Sequence, residues 1–226
     1  MIKFLPFLFV ILYGLAMWHF SAWRLKKDLT ERSTELVDPK LTPVLRQLAT
    51  ALDLPRVRVF VYEVDQINGL AAPDGRIFIT RGFLAKLQSG DVTPDEIASV
   101  IAHEMGHVAL GHSRRRMIDF SGQNALRVLL MTFIGRFVPI VGPWIANGII
   151  MLLAARLSRK DEYEADAYAT ALLMKSGIGA APQISLFQKL EKLSGGRASG
   201  TPAWLLSHPK SNERIAAIQK NVARWA

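Results

Sequence analysis

The chain contains no cysteine. Disulfides are therefore excluded, and so is every thiolate ligand, so any metal site must be built from histidine and carboxylate. Histidine is itself scarce, with five in 226 residues. Acidic residues are outnumbered, 19 Asp and Glu against 28 Lys and Arg, for a net charge of +9. A basic excess of this kind suits nucleic acid or anionic lipid. The chain shows neither basic residues interleaved with aromatics nor a nucleic-acid-binding module, so the expected partners include no nucleic acid. It also lacks internal repeats and low-complexity segments.

What is present is strongly apolar, with hydrophobic residues at 50% of the chain. The run from Phe4 to Trp23, FLPFLFVILYGLAMWHFSAW, is almost uncharged. Twenty residues at helical rise span about 30 Å, the hydrocarbon thickness of a bilayer. Trp18 and Trp23 stand near one end, where interfacial aromatics collect, and Arg24, Lys26 and Lys27 follow. The competing reading is a cleaved signal peptide. That would want a stronger basic start than Lys3 and a small-x-small cleavage site, which Ser21-Ala22 followed by bulky Trp23 matches poorly. The expected organisation is a single-pass membrane anchor over residues 1–25 followed by one domain over 26–226. The cations after the span favour the cytoplasmic side for that domain.

Within the domain, Arg56 to Val64 alternates, with Val57, Val59 and Val61 on one face, which predicts a strand. Turn signals at Asn68-Gly69 and Pro73-Asp74-Gly75 flank Leu70-Ala71-Ala72, and Arg76 to Thr80 predicts a second short strand. Thr93-Pro94-Asp95-Glu96 is a helix start: Thr93 caps, Pro94 fits the first helical position and Glu96 completes a capping box. The spacing predicts a helix from there to about Ser113, which the basic run Arg114-Arg115-Arg116 caps. A short amphipathic helix is expected over Glu213 to Trp225. The fold class is α+β: mainly helical, with a small β-sheet, preceded by the N-terminal transmembrane helix.

That central helix carries His103-Glu104-Met105-Gly106-His107. Positions four apart share a helix face, so His103 and His107 can aim imidazole nitrogens at one ion. Glu104 lies about 100° further round the helix, badly placed as a ligand but well placed to reach a water on the metal. This is the geometry that gives H-E-x-x-H its mechanism. With two imidazoles and a carboxylate, Zn²⁺ is the expected metal, one per chain. Three protein ligands leave a fourth position for a water of lowered pKa, whose proton Glu104 takes as general base. The third ligand must come from elsewhere. Ser158 to Asp166, SRKDEYEAD, offers Asp161, Glu162, Glu164 and Asp166 at the opening of a helical pattern. Glu162 and Asp166 share a face, so one could bind metal while the other orients a ligand histidine. An acidic, solvated helix start explains the same residues equally well.

HEMGH, then SRKDEYEAD, then HPKSNER, preceded by INGLAAPDGRIFITRGFL, resembles the membrane-associated gluzincin family that includes HtpX and the type I CaaX prenyl proteases. The resemblance covers roughly residues 30–220. It implies that His103, His107 and Glu162 bind zinc and that Glu104 is the base. It implies that Asp166 lies beneath a zinc histidine, with Arg214 supporting it. It further implies that His208 approaches the scissile carbonyl and stabilises the oxyanion. The resemblance also implies that Asn68 faces the cleft and that an edge strand around Leu70, Ala71 and Ala72 holds the substrate backbone by strand addition. His112, which also recurs in some relatives, is expected to cap the helix C-terminus.

A second apolar region covers 128–155, interrupted by Arg136, Pro139 and Pro143. His107 and Glu162 must meet at one ion, so the chain has to return to the same side between them. Two full crossings need about 40 residues and 28 are available. A hairpin turning at Pro139 to Pro143 is expected, at the membrane interface or packed over the cleft, against the alternative of a hairpin buried in the domain. The expected function is zinc-dependent endoproteolysis of protein or peptide substrates, membrane or misfolded proteins among them, in membrane protein quality control at the lipid bilayer. The alternative is a membrane-anchored, zinc-binding, chaperone-like protein without efficient cleavage, for which Glu104 and His208 would be superfluous.

Overall fold

The computed structural model describes residues 5–112, 115, 142–194, 208 and 212–225. Their elements run α1 (Leu5–Glu31), β1 (Ser33–Glu35), α2 (Thr42–Ala51), β2 (Val59–Tyr62), β3 (Gly69–Ala71), β4 (Ile77–Thr80), α3 (Arg81–Gln88), α4 (Pro94–Ala109), α5 (Gly142–Lys175), α6 (Ala181–Ser194) and α7 (Asn212–Trp225). The architecture is α+β, mainly helical with one small mixed sheet.

The sheet order is β1-β2-β4-β3, with β1 antiparallel to β2, β2 parallel to β4 and β3 antiparallel to β4. Alternation divides its two faces. Val59, Val61, Ile77 and Ile79 enter the main core, while Phe60, Tyr62, Leu70 and Phe78 turn to a second cluster with Leu29 and Ala72. The last turns of α1 are tied onto that second face: Leu29 is buried, Tyr62 donates to Asp28 Oδ2 at 2.5 Å and Arg76 donates to Thr30 Oγ1 at 3.2 Å. The Val59–Tyr62 strand is shorter than the expected Arg56–Val64, because its partner β4 is only four residues long.

The helix α4 runs through the core, packed by α2, α5, α6, β3 and β4. Ile97, Ala98, Val100, Ile101 and Ala102 are all buried, so it is apolar around most of its circumference, as a central helix must be. The capping box is in place: Thr93 Oγ1 accepts from the Glu96 amide and Glu96 Oε2 from the Thr93 amide. Two expectations change. The helix ends at Ala109, not near Ser113, because Gly111 takes φ +69 and reverses the chain. The acidic stretch from Asp161 to Asp166 lies deep inside the 34-residue α5, not at a helix start, so the helix dipole does not explain its acidity. The helix α1 continues unbroken through residue 25 to Glu31.

Among the described residues no helix is long and apolar enough to cross a membrane; most side chains of the apolar part of α1, where the transmembrane anchor was expected, lie outside those residues. Of the expected hairpin over 128–155, residues 128–141 lie outside the described residues, and its second arm is the start of α5.

Candidate metal centre

The centre forms where α4 crosses α5. At Gly106 the two backbones nearly touch: a Cβ there would sit 3.0 Å from both Cα and O of Ala165. This closeness brings the carboxylates of α5 beneath the histidines of α4. His103 Nε2 and His107 Nε2 face each other at 3.1 Å. Glu162 reaches up between them, with Oε2 3.3 Å from His103 Nε2 and Oε1 3.5 Å from His107 Nε2. His208 closes the group, its Nδ1 2.8 Å from Glu162 Oε2 and 3.3 Å from His103 Nε2. One ligand atom from each of these four buried residues lies within 4.8 Å of the others.

A shell of partners holds these side chains. Asp166, one turn beyond Glu162, places Oδ1 3.0 Å from His103 Nδ1. Arg214, delivered by α7, donates to Asp166 through Nε at 2.7 Å and Nη2 at 2.8 Å, and its Nη1 lies 3.2 Å from Glu162 Oε2. Its guanidinium is also 4.8 Å from the Phe187 ring centroid. Thr170 and Gln183 donate to the Asp166 carbonyl at 2.8 and 3.3 Å.

Electrostatically, the pocket is built around positive charge. Burial alone would push His103 down, but hydrogen bonds to Asp166 and Glu162 outweigh it and hold the imidazole up at about 9. Burial would raise Glu162, yet hydrogen bonds from His103 and His208 drive it far below the usual carboxylate range. Asp166 is likewise lowered, its burial outweighed by Arg214 and His103. Facing imidazole nitrogens with a buried carboxylate between them repel unless a cation or protons sit among them. The donor set, nitrogen and carboxylate without sulfur, fits zinc.

Glu104 stands beside this group. It is buried, and Oε1 has no hydrogen-bond partner among the described residues; His208 Nε2 is 3.4 Å from it. The edge strand β3 packs against α4. It covers Gly69 to Ala71, with Ala72 just past its end, its amide bonded to the Arg76 carbonyl at 2.8 Å. Asn68, immediately before it, is pinned through its backbone to Thr80 Oγ1 at 3.0 Å.

Two histidines take places that residue spacing alone does not give. His208, which spacing alone treats as a surface histidine before a proline, is buried against Glu162 and Glu104. His112, expected to cap the helix, does not: Arg115 Nη2 bonds the Leu110 carbonyl at 3.1 Å instead. Gly111 swings His112 inward, fully buried, so that its Nδ1 lies 3.0 Å from His107 Nδ1. The signal was there in three histidines within ten residues, two of them already spoken for by one face.

Comparison with known proteins identifies the family. The sequence profile of peptidase family M48 matches residues 35–222. The chain is 32% identical to the metalloprotease LoiP of Escherichia coli over 184 residues, covering 81% of this chain and 70% of that one. It is 29% identical to the metalloprotease YcaL of the same organism, covering 81% and 69%. It is 26% identical to a protease HtpX homologue of Salinibacter ruber, covering 93% and 84%.

Proposed function

The chain belongs to peptidase family M48 and is a metallopeptidase, and from that premise we propose that it is a zinc-dependent endopeptidase working at a membrane surface on membrane or misfolded proteins. The observation that carries the reading is the buried group of His103, His107 and Glu162 with Glu104 alongside. His103 and His107 would hold the ion through imidazole nitrogen and Glu162 through its carboxylate. Zinc, when bound, supplies a Lewis acid that brings the pKa of a water to about 7 and polarises a carbonyl.

The chain's own residues do the rest. Glu104 accepts the proton of the attacking water and returns it to the leaving amine, and such a base contributes about 10²–10⁴-fold. His208 donates to the oxygen of the scissile carbonyl as charge builds there. In the present arrangement its Nδ1 is engaged with Glu162 and its Nε2 lies 3.4 Å from Glu104 Oε1. Asp166, held by Arg214, keeps the proton of His103 on Nδ1, leaving Nε2 for the metal. The strand β3, last in the sheet order among the described residues, takes an extended substrate as an added strand, with Asn68, Leu70, Ala71 and Ala72 along the backbone.

Membrane attachment rests on the apolar run from Phe4 to Trp23 in α1. It is supported by exposed Phe20, Trp23 and Leu25 beside Arg24, Lys26 and Lys27, with the Lys27 ammonium 5.5 Å from the Trp23 ring. Apolar and cationic side chains side by side are what an anionic lipid interface accepts.

Zinc content and casein cleavage of three chains test the mechanism. Glu104→Gln is expected to keep one zinc and lose cleavage by at least about 100-fold. Glu162→Ala is expected to lose the zinc. Undiminished cleavage by Glu104→Gln would sink the base assignment, and full zinc content in Glu162→Ala would sink the ligand set.

A further inference from the structure

His112 is fully buried and takes no part in the proposed chemistry. Its Nδ1 is 3.0 Å from His107 Nδ1, and its Nε2 is 3.1 Å from Glu164 Oε2 and 3.7 Å from Asp161 Oδ1. Glu164 and Asp161 come from α5, so the contact reaches from just past the end of α4 to the facing helix.

Two roles suit such a cluster. His112, Asp161 and Glu164 bring one nitrogen and two carboxylates close enough to hold a second cation. Alternatively, they form a hydrogen-bonded chain to His107. Proton counting separates the two. A neutral imidazole carries a hydrogen on one nitrogen only. If His107 offers Nε2 to a metal, its hydrogen is on Nδ1, and the 3.0 Å contact makes His112 Nδ1 the acceptor. The hydrogen of His112 is then on Nε2, where it donates to Glu164 and has no lone pair for a metal. The carboxylates are already compensated as well, with Lys160 Nζ 3.5 Å from Glu164 and Arg115 Nη1 3.8 Å from Asp161.

We propose that His112 is a positioning residue: a His107–His112–Glu164 relay, backed by Asp161, fixes the tautomer and ring plane of His107 so that Nε2 faces the metal. It rests on the reading of His107 as a zinc ligand through Nε2. The two ligand histidines are thus oriented by unlike devices. His103 meets a carboxylate directly at Asp166, whereas His107, a turn further along α4, reaches its carboxylate through a second imidazole.

The experiment uses the full chain, loaded with zinc and labelled with ¹⁵N-histidine. Two-bond ¹H–¹⁵N correlations should read His107 Nδ1 as protonated, His112 Nδ1 as unprotonated and His112 Nε2 as protonated. Zinc affinity, measured by chelator competition, should fall about 10–100-fold in His112→Leu. In His112→Gln it should stay within about threefold of wild type, because an amide can accept from His107 through oxygen and donate to Glu164 through nitrogen. That rescue separates positioning from a general packing defect. An unprotonated His112 Nε2, a second zinc lost with His112→Gln, or a Gln variant as weak as the Leu variant would overturn the relay. Wild-type zinc binding left unchanged by His112→Leu overturns the relay alone. A wild type that binds no zinc overturns the ligand reading and the relay with it.

Discussion

Arg214 shows how much a single residue can carry in this site. It is 2% exposed, it forks onto Asp166 with two short bonds, and it also touches Glu162. Removing one partner of a buried ion pair leaves the other charge uncompensated, which costs about 3–5 kcal/mol. Here two carboxylates would be stranded. Arg214→Met is therefore expected to lose about 3–5 kcal/mol of unfolding free energy in urea, measured without metal so that zinc does not mask it. A loss under about 1 kcal/mol, the range of a solvent-screened pair, would mean that water reaches Asp166. The sequence placed Arg214 near this role only through family resemblance. Nothing in a short amphipathic C-terminal helix says which of its residues turns inward, because the carboxylates that Arg214 meets lie far back in the chain on α5, Asp166 48 residues away and Glu162 further still.

Between elements, the decisive contact is the crossing of α4 and α5. A glycine in a helix normally costs about 1 kcal/mol relative to alanine, so Gly106→Ala would stabilise an isolated α4. In the fold the added methyl meets the Ala165 backbone at 3.0 Å and Tyr168 Cβ at 3.2 Å. The neighbour is main chain of a buried helix and yields only if α5 moves as a body. Overpacking of this kind costs about 1–3 kcal/mol. Gly106→Ala is expected to be destabilised by about 1–2 kcal/mol in urea unfolding and to bind zinc more weakly, since Glu162 retreats with α5. A stability gain would show that α5 shifts freely. The HEMGH run was legible as two ligands and a base from helical periodicity alone. The length of α5 was not: the acidic stretch has the composition of a helix start, and only its packing against α4 shows that it lies within a longer helix.

For the molecule as a whole, the question is how the domain meets the bilayer. The last residues of α1 belong to the folded domain: Leu29 is buried, Asp28 accepts from Tyr62 and Thr30 from Arg76. A chain shortened by residues 1–25 keeps all three and is expected to fold. The full chain is expected to float with phospholipid vesicles at 1 M salt, where surface electrostatics are screened to about 3 Å. The shortened chain is expected to stay in the soluble fraction without detergent. Flotation of the shortened chain would transfer the attachment to residues 128–155.

By itself the sequence determined the chemistry available: no thiolate, two histidines four apart with a glutamate between them, a capped helix to carry them, and strands of the right period. These are local facts, set by helical and extended repeats over a few residues. The tertiary structure decided which carboxylates the histidines meet. It put Glu162 between them, Asp166 under His103, and His208 and Arg214 inside, not on the surface. It also turned His112 from a helix cap into a partner of His107, through one left-handed glycine. Those choices depend on where α5 crosses α4 and where α7 packs on α5, and helix crossings are set by side-chain packing across long stretches of chain, which no local pattern encodes.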